Sequence, residues 1–193
     1  MKKIGFVITL ICLAFVLKAQ KKFSEGEVEK LTKINILMPG IAYEHPLSKK
    51  FTLYAELFSS LRLRFSTSSN ALGGSTSNLS LFFLPSFTGQ LRYYYNGEKR
   101  LENNKRVEKN SMNYIAAINL FTAGNNKKFL TPEFQTAFVW GLHRNMPKRL
   151  SVDFNVGPSI VIPTSNNSYY YTNARTYFTL YTDLKIGVWL NRK

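Results

Sequence analysis

Two histidines and a nearby serine are the residues of this chain best suited to chemistry. His45 and His143 are the histidines available as bases, and Ser48 is a candidate nucleophile close to His45. A serine, a histidine and a carboxylate together can hydrolyse or transfer acyl chains. No Gly-x-Ser-x-Gly elbow accompanies these residues, and a histidine beside a turn usually has a structural role. The sequence therefore predicts no catalytic residues and no enzyme.

Cofactor and metal binding are not predicted either. Cys12 lies in an apolar N-terminal segment that we expect to be removed, which leaves the rest of the chain without a thiol ligand. No clustered His/Asp spacing typical of a metal site and no Gly-rich phosphate loop occurs. We expect no cofactor and no metal.

Ionisable residues recur instead on one face of extended segments. Within residues 181–190, Leu184 and Ile186 fall on one face of a strand, and Asp183 and Lys185 fall on the other. A barrel strand that crosses a membrane turns its apolar row to lipid and its polar row to the lumen. The same alternation occurs in two further segments, residues 51–57 and 150–157.

This parity predicts a charged barrel interior. The ionisable residues that it places inward are Glu44, Glu56, Arg62, Arg64, Arg92, Asp153, Asp183 and Lys185. An eight-stranded barrel is only wide enough inside for side chains, so we expect these charges to pair and to leave no conducting pore.

The N-terminus resembles an export signal. Lys2 and Lys3 precede an apolar run from Ile4 to Leu17, and Ala19 is a small residue at a plausible cleavage point. We predict a signal peptide over residues 1–19, followed by one barrel domain over residues 20–193. The net charge of +15 would suggest nucleic acid, but export argues against that partner. The basic excess has two explanations, an anionic membrane surface or solvated loops.

Eight strands are predicted, provided that Met38-Pro39-Gly40 is a true reversal. Their bounds are Leu31–Leu37, Ile41–His45, Phe51–Arg64, Leu79–Tyr95, Asn113–Phe121, Pro132–His143, Leu150–Ile160 and Ala174–Leu190. An even number allows antiparallel closure with every backbone group paired. The connection 96–110 is long on the end where the other turns are short, and it is expected to contain a helical turn.

Three loops are predicted at the opposite end, over residues 66–78, 123–130 and 163–173. The candidates for an external contact in these loops are Tyr169, Tyr170, Tyr171, Lys127 and Lys128. The three tyrosines have a second interpretation as an interfacial aromatic girdle, the position that barrel aromatics commonly take.

Four segments carry a resemblance to a known family: residues 92–100, 113–114, 140–149 and 153–157. The first of them begins with Arg92-Tyr-Tyr-Tyr-Asn. In these segments the chain resembles small outer-membrane β-barrel proteins of the OmpA-like and OmpX-like superfamily. The resemblance implies an eight-stranded barrel in the outer membrane and, for many members, no assigned activity.

We therefore predict an all-β protein, an antiparallel eight-stranded up-and-down transmembrane β-barrel in the cell outer membrane. Its expected function is a scaffold that presents loops for surface interaction, with outer-membrane lipids and an external macromolecule as partners and no nucleic acid. One alternative is a soluble, exported, lipocalin-like barrel that binds an apolar ligand, with its apolar rows inside. A second alternative is an outer-membrane lipid-modifying enzyme. Period alone does not choose between the membrane and soluble barrels, because it defines two faces and not their direction.

Overall fold

The protein is a closed barrel of eight antiparallel strands. A computed structural model describes residues 26–69, 75–124, 132–164 and 175–191. The strands are β1 (Leu31–Asn35), β2 (Gly40–Pro46), β3 (Phe51–Ser69), β4 (Ser75–Tyr94), β5 (Asn113–Thr122), β6 (Glu133–Asn145), β7 (Leu150–Pro163) and β8 (Tyr177–Trp189). The predicted signal peptide, residues 1–19, lies outside the described residues.

Each strand pairs with its neighbours in the sequence, and β1 pairs with β8 to close the ring. The closing pairs are Lys33 with Trp189, Ile34 with Val188, and Asn35 with Gly187. Closure removes the sheet edges that would otherwise leave backbone groups unpaired. The predicted fold, an all-β antiparallel barrel of eight strands in up-and-down order, is confirmed.

The prediction of a first hairpin depended on a chain reversal at Met38-Pro39-Gly40, and the structure contains this reversal. β1 and β2 are antiparallel, with Asn35 opposite Gly40 and Ile34 opposite Ile41. The turn is thus 36–39 and β1 ends at Asn35, two residues earlier than predicted. A side chain at Gly40 would collide with the backbone of Phe58 on β3, so glycine permits this close approach.

The predicted loop over residues 66–78 is wrong at both ends. β3 continues to Ser69 and β4 begins at Ser75, and the register runs unbroken from Leu63 opposite Leu81 to Ser69 opposite Ser75. Ser, Thr and Asn suggested a loop by composition, but ladder hydrogen bonds between two long strands outweigh that weak preference. β3 and β4 are 19 and 20 residues long, whereas β5 to β8 have 10 to 14.

The long hairpin extends past the ring. β2 pairs with β3 only as far as Phe58, and β4 pairs with β5 only from Ser86 onward. Within the described residues, the distal parts of β3 and β4 therefore pair only with each other. The predicted starts of β1, β3, β5 and β7 are confirmed, and the remaining strand bounds, apart from the distal ends of β3 and β4, differ from the predicted ones by one to three residues.

The two ends of the barrel differ. The connections β2–β3, β4–β5 and β6–β7 lie at one end, together with the start of β1 and the end of β8. We call it the capped end because residues 26–30 and 96–112, here named the cap, pack across it. The opposite end, with the other four connections, is called the loop end. The predicted helical turn in the cap is present as α1 (Gly97–Glu102). No helix in the described part of the chain is long and apolar enough to cross a membrane.

Candidate functional site

The inward face of the barrel carries the charges. Glu44, Glu56, Arg92, Asp153, Asp183 and Lys185 are each no more than 8% exposed. The side chains of Arg62 and Arg64, also predicted to point inward, lie outside the described part of the structure. The outward face is apolar; its exposed members include Leu53, Leu57, Phe83, Phe87, Phe138, Phe178, Leu180 and Leu184.

The contrast between the two faces is sharp. Among the described strand side chains, the outward positions hold no Asp, Glu or Lys, and their only Arg is Arg144 at the capped end. Leu57 is 65% exposed and Phe178 is 82% exposed, although both are strongly apolar. Apolar residues outside and ion pairs inside are the reverse of a soluble barrel's arrangement.

Arg92 is the centre of the first cluster in the lumen. Its Nη1 lies 2.9 Å from Asp153 Oδ2 and 3.8 Å from Glu44 Oε2, and its Nε donates to Gln90 Oε1 at 2.8 Å. The guanidinium lies 3.9 Å from the ring centre of Tyr54. It is therefore held by two carboxylates, an amide and an aromatic face.

Tyrosines also donate hydrogen bonds to these carboxylates. Tyr114 donates to Asp153 Oδ1 at 2.5 Å, and Tyr94 donates to Glu44 Oε1 at 2.7 Å. A Cβ at position 141 would lie 2.3 Å from the Tyr114 ring, so Gly141 leaves the space that this ring occupies. Asp153 is thus held by a buried hydroxyl group as well as by cations, whereas Glu44 Oε2 is buried without a hydrogen-bond partner.

Lys185 is the centre of the second cluster, nearer the loop end. Its Nζ contacts Glu56 and lies 3.2 Å from Asp183 Oδ2. Glu56 also accepts from Asn35 Nδ2 at 2.5 Å and from Tyr54 Oη at 2.9 Å. Tyr54 thereby joins the two clusters, since it touches Arg92 with its ring and Glu56 with its hydroxyl.

Sequence reasoning missed Lys33 as a member of this interior. Lys33 is 1% exposed, and its Nζ lies 3.3 Å from Asp153 Oδ2. It shares parity with Leu31 and Asn35 on β1, so the alternation could have indicated it. A five-residue strand with one charged position is a weak signal, because short segments do not distinguish the two faces.

The histidines do not assemble with a nucleophile. His143 is fully buried, where its Nδ1 lies 2.9 Å from the Asn110 carbonyl and its Nε2 lies 3.4 Å from Lys33 Nζ. His45 is on the outward face and its Nδ1 lies 3.4 Å from Tyr43 Oη. Ser48 accepts a hydrogen bond from the Phe51 amide at 3.3 Å, and within the described residues it makes no hydrogen bond to His45.

The cap closes one end of the lumen. Val28, Val107 and Met112 are buried in one apolar cluster with Tyr94 and Tyr114 of the barrel interior. The two parts of the cap are also joined to each other. The Glu29 amide donates to Asn110 Oδ1 at 2.6 Å, and Asn110 Nδ2 donates back to the Glu29 carbonyl at 2.9 Å. Asn110 has a φ of 60°, a conformation that asparagine tolerates better than most residues.

Ion pairs fasten the cap to the turn between β2 and β3. Lys49 Nζ lies 2.7 Å from Glu27, and Lys50 Nζ lies 2.9 Å from Glu98. The hydrogen bond from each lysine to its glutamate raises the pKa of that lysine. The Lys49 side chain is 77% exposed and the Lys50 side chain 41% exposed, so the two pairs contribute little to stability.

The loop end of the lumen holds a cavity of about 320 Å³. Its lining is mixed: Ser60, Thr122 and Asp183 are polar, whereas Phe58 and Leu120 are apolar. No group of three or more His, Cys, Asp or Glu that could hold a metal ion occurs in the part of the chain that is described. Tyr169, Tyr170, Tyr171, Lys127 and Lys128, the candidates for external contact, lie outside the described residues.

Aromatic side chains lie on the outer surface of β3, β4 and β6 near the capped end. Phe51 and Tyr93 face each other with ring centres 4.8 Å apart. Trp140 Nε1 donates to Tyr95 Oη at 2.9 Å, and both side chains are exposed. Polar atoms of aromatic rings thus satisfy one another on the outer surface.

Comparison of the chain with models of known families, with curated proteins and with solved structures gives no match.

Proposed function

We propose that this protein is an integral outer-membrane β-barrel with a filled lumen, which acts as a scaffold for a surface at its loop end. The observation that carries this proposal is the outward apolar face, which holds no Asp, Glu or Lys among the described strand side chains. Such a face is costly in water, because a large contiguous apolar surface favours association or insertion. In lipid it is the arrangement expected of a spanning barrel.

Strand length and aromatic position support the same proposal. A tilted strand needs about 9 to 11 residues to cross a bilayer, and β5 to β8 have 10 to 14. Tyr43, Tyr95 and Trp140 are exposed near the capped end, at the level where amphipathic rings meet lipid headgroups. The lipocalin-like alternative needs Leu184 inside and Asp183 and Lys185 outside, whereas Leu184 is 42% exposed and both charged residues are buried.

The scaffold part of the proposal rests on the two ends. The cap and the paired charges fill the lumen from the capped end to the level of Lys185. The distal β3–β4 hairpin projects at the other end, where a rigid frame can present it to a macromolecule outside the cell. Leu79, Leu81 and Phe83 are exposed along this hairpin and offer apolar contact area.

Fractionation of cells that express the full chain tests the membrane assignment. We expect the protein to remain with the outer-membrane fraction after washing with alkaline carbonate and to leave it only with detergent, because its outer face is apolar. A peripheral protein carrying the same export signal is the control for the wash. Recovery of the protein in the carbonate supernatant would end the proposal.

A further inference from the structure

The outer surface holds two arginines that no carboxylate neutralises. Arg144 is the only outward Arg of the described strand side chains, at the capped end of β6, and Arg100 lies on α1 of the cap. Neither guanidinium forms an ion pair with a described residue, although both are partly buried. Hydrogen bonds place them near each other. Asn113, which accepts from Arg144, donates its amide to Asn96 Oδ1, one helical turn before Arg100. The Arg106 carbonyl accepts from Arg100, and Arg106 Nη1 donates to the carbonyl of Asn145, the residue after Arg144. Two neighbouring cations without a counter-charge form a site suited to an anion.

Both side chains are held in place by hydrogen bonds to neutral groups. Arg144 donates to the His143 carbonyl at 2.7 Å and to Asn113 Oδ1 at 2.6 Å. Arg100 donates through Nε and Nη2 to the Arg106 carbonyl, at 3.2 and 2.9 Å. A guanidinium has five N–H donors, so each arginine keeps several for a ligand.

The surface next to these arginines is apolar and aromatic. Asn113, which holds Arg144, also lies 3.4 Å from Tyr95 Oη, and Tyr95 in turn accepts from Trp140. Trp140 is opposite the outward Ile115 in the β5–β6 ladder. The patch therefore passes from apolar residues, through two amphipathic rings, to a pair of cations within a few residues along the strands.

We propose that Arg100 and Arg144 bind the phosphate of an anionic phospholipid whose acyl chains lie along Trp140 and Ile115. This site rests on the proposed membrane-spanning function, since it needs lipid at the level of the aromatic rings. A lipid is favoured over a soluble phosphate because the apolar half of the patch would otherwise have no partner. Such a site would explain part of the net positive charge of the chain by contact with an anionic membrane surface, and not by solvated loops alone.

Quenching of Trp140 by brominated lipids tests the proposal. Trp189→Phe makes Trp140 the only tryptophan of the chain, and the protein is reconstituted in phosphatidylcholine vesicles with a minor share of phosphatidylglycerol. We expect brominated phosphatidylglycerol to quench Trp140 fluorescence more strongly than its mole fraction in the vesicle would predict. Arg100→Gln and Arg144→Gln should each lower that preference about fivefold, the effect of one basic side chain beside anionic lipid. Arg175→Gln, at the loop end, is the matched control and should leave it unchanged.

The outcomes separate this site from the membrane assignment. Quenching by brominated phosphatidylcholine in every variant shows an inserted barrel, and equal quenching by both lipids would then overturn the lipid site alone. No quenching by either lipid would overturn the proposed function itself. Raising the salt concentration on the Trp189→Phe protein supplies a test without the arginine variants. The preference should fall with ionic strength because the contact is electrostatic, and a preference that stays constant would contradict the site.

Discussion

Arg92 illustrates why single residues matter inside this barrel. It is fully buried between the rings of Tyr54 and Tyr114, and its partner Asp153 also neutralises Lys33. A buried charge is tolerable only while its partners remain, because solvent cannot replace them. Removal of one member of the cluster should therefore destabilise the barrel more than removal of one member of an exposed ion pair.

Arg92→Ala should lower the free energy of unfolding by about 3 to 5 kcal/mol, since Asp153 and Glu44 would lose their closest common cation. Urea unfolding of the refolded barrel in detergent micelles measures the change. Arg106→Ala is the matched control: its pair with Glu108 is 3.4 Å long and exposed, so we expect a loss below about 1 kcal/mol. Equal effects of the two substitutions would refute a paired, interior Arg92.

At the scale of elements, each strand has two environments that alternate residue by residue. On β3, Thr52, Tyr54 and Glu56 are buried, whereas Leu53 and Leu57 are about half exposed or more. The inward side chains of the strand are held by hydrogen bonds and ion pairs, whereas Leu53 and Leu57 on the outer face keep about half or more of their surface exposed. That outer row is therefore a sensitive reporter of the surrounding medium.

Leu57→Lys distinguishes lipid from water around β3. In a bilayer, a lysine on the outer face should destabilise the barrel by about 2 to 4 kcal/mol, the cost at mid-membrane depth. In water the same change would be close to neutral, because Leu57 is 65% exposed. Unfolding in phospholipid vesicles measures the difference. Leu47→Lys, in the turn after β2 and 51% exposed, is the control that should have little effect. A neutral Leu57→Lys in vesicles would contradict a lipid-facing β3.

The whole molecule is a cylinder with different ends. The cap, the Arg92 cluster and the Lys185 cluster occupy successive levels of the lumen, and the cavity of about 320 Å³ lies beyond them at the loop end. Between the cavity and the cap, the described interior holds buried ion pairs. This arrangement favours a scaffold over a channel.

Planar bilayers test the closed lumen directly. We expect the purified barrel to insert without unitary current steps, because paired, buried side chains occupy the described interior. A porin added to the same bilayer shows that conductance is detectable. Reproducible single-channel steps from this protein would be evidence for an open pore and against the scaffold.

The sequence predicted the faces of the strands better than their ends. Alternation in residues 181–190 was sufficient to place Asp183 and Lys185 together, and the Pro-Gly pair after Met38 was sufficient to predict the first reversal. The extension of β3 to Ser69 could not be predicted from the sequence, because serine and threonine are compatible with both loop and strand. Pairing with β4 makes this segment a strand.

The sequence by itself determined that each strand has an apolar row and a charged row, because side chains of an extended chain alternate strictly between two faces. Only the tertiary structure decided which row lies inside. The pairing of β1 with β8 closes the sheet with Arg92, Asp153 and Lys185 in the lumen, and the same closure brings Lys33 to Asp153 and His143 to the cap. These contacts join residues 33 to 120 positions apart, so no local pattern could have shown them. The alternation of the two rows follows from the geometry of an extended chain. The row that faces the lumen, and the residues that meet there, follow from closure of the ring.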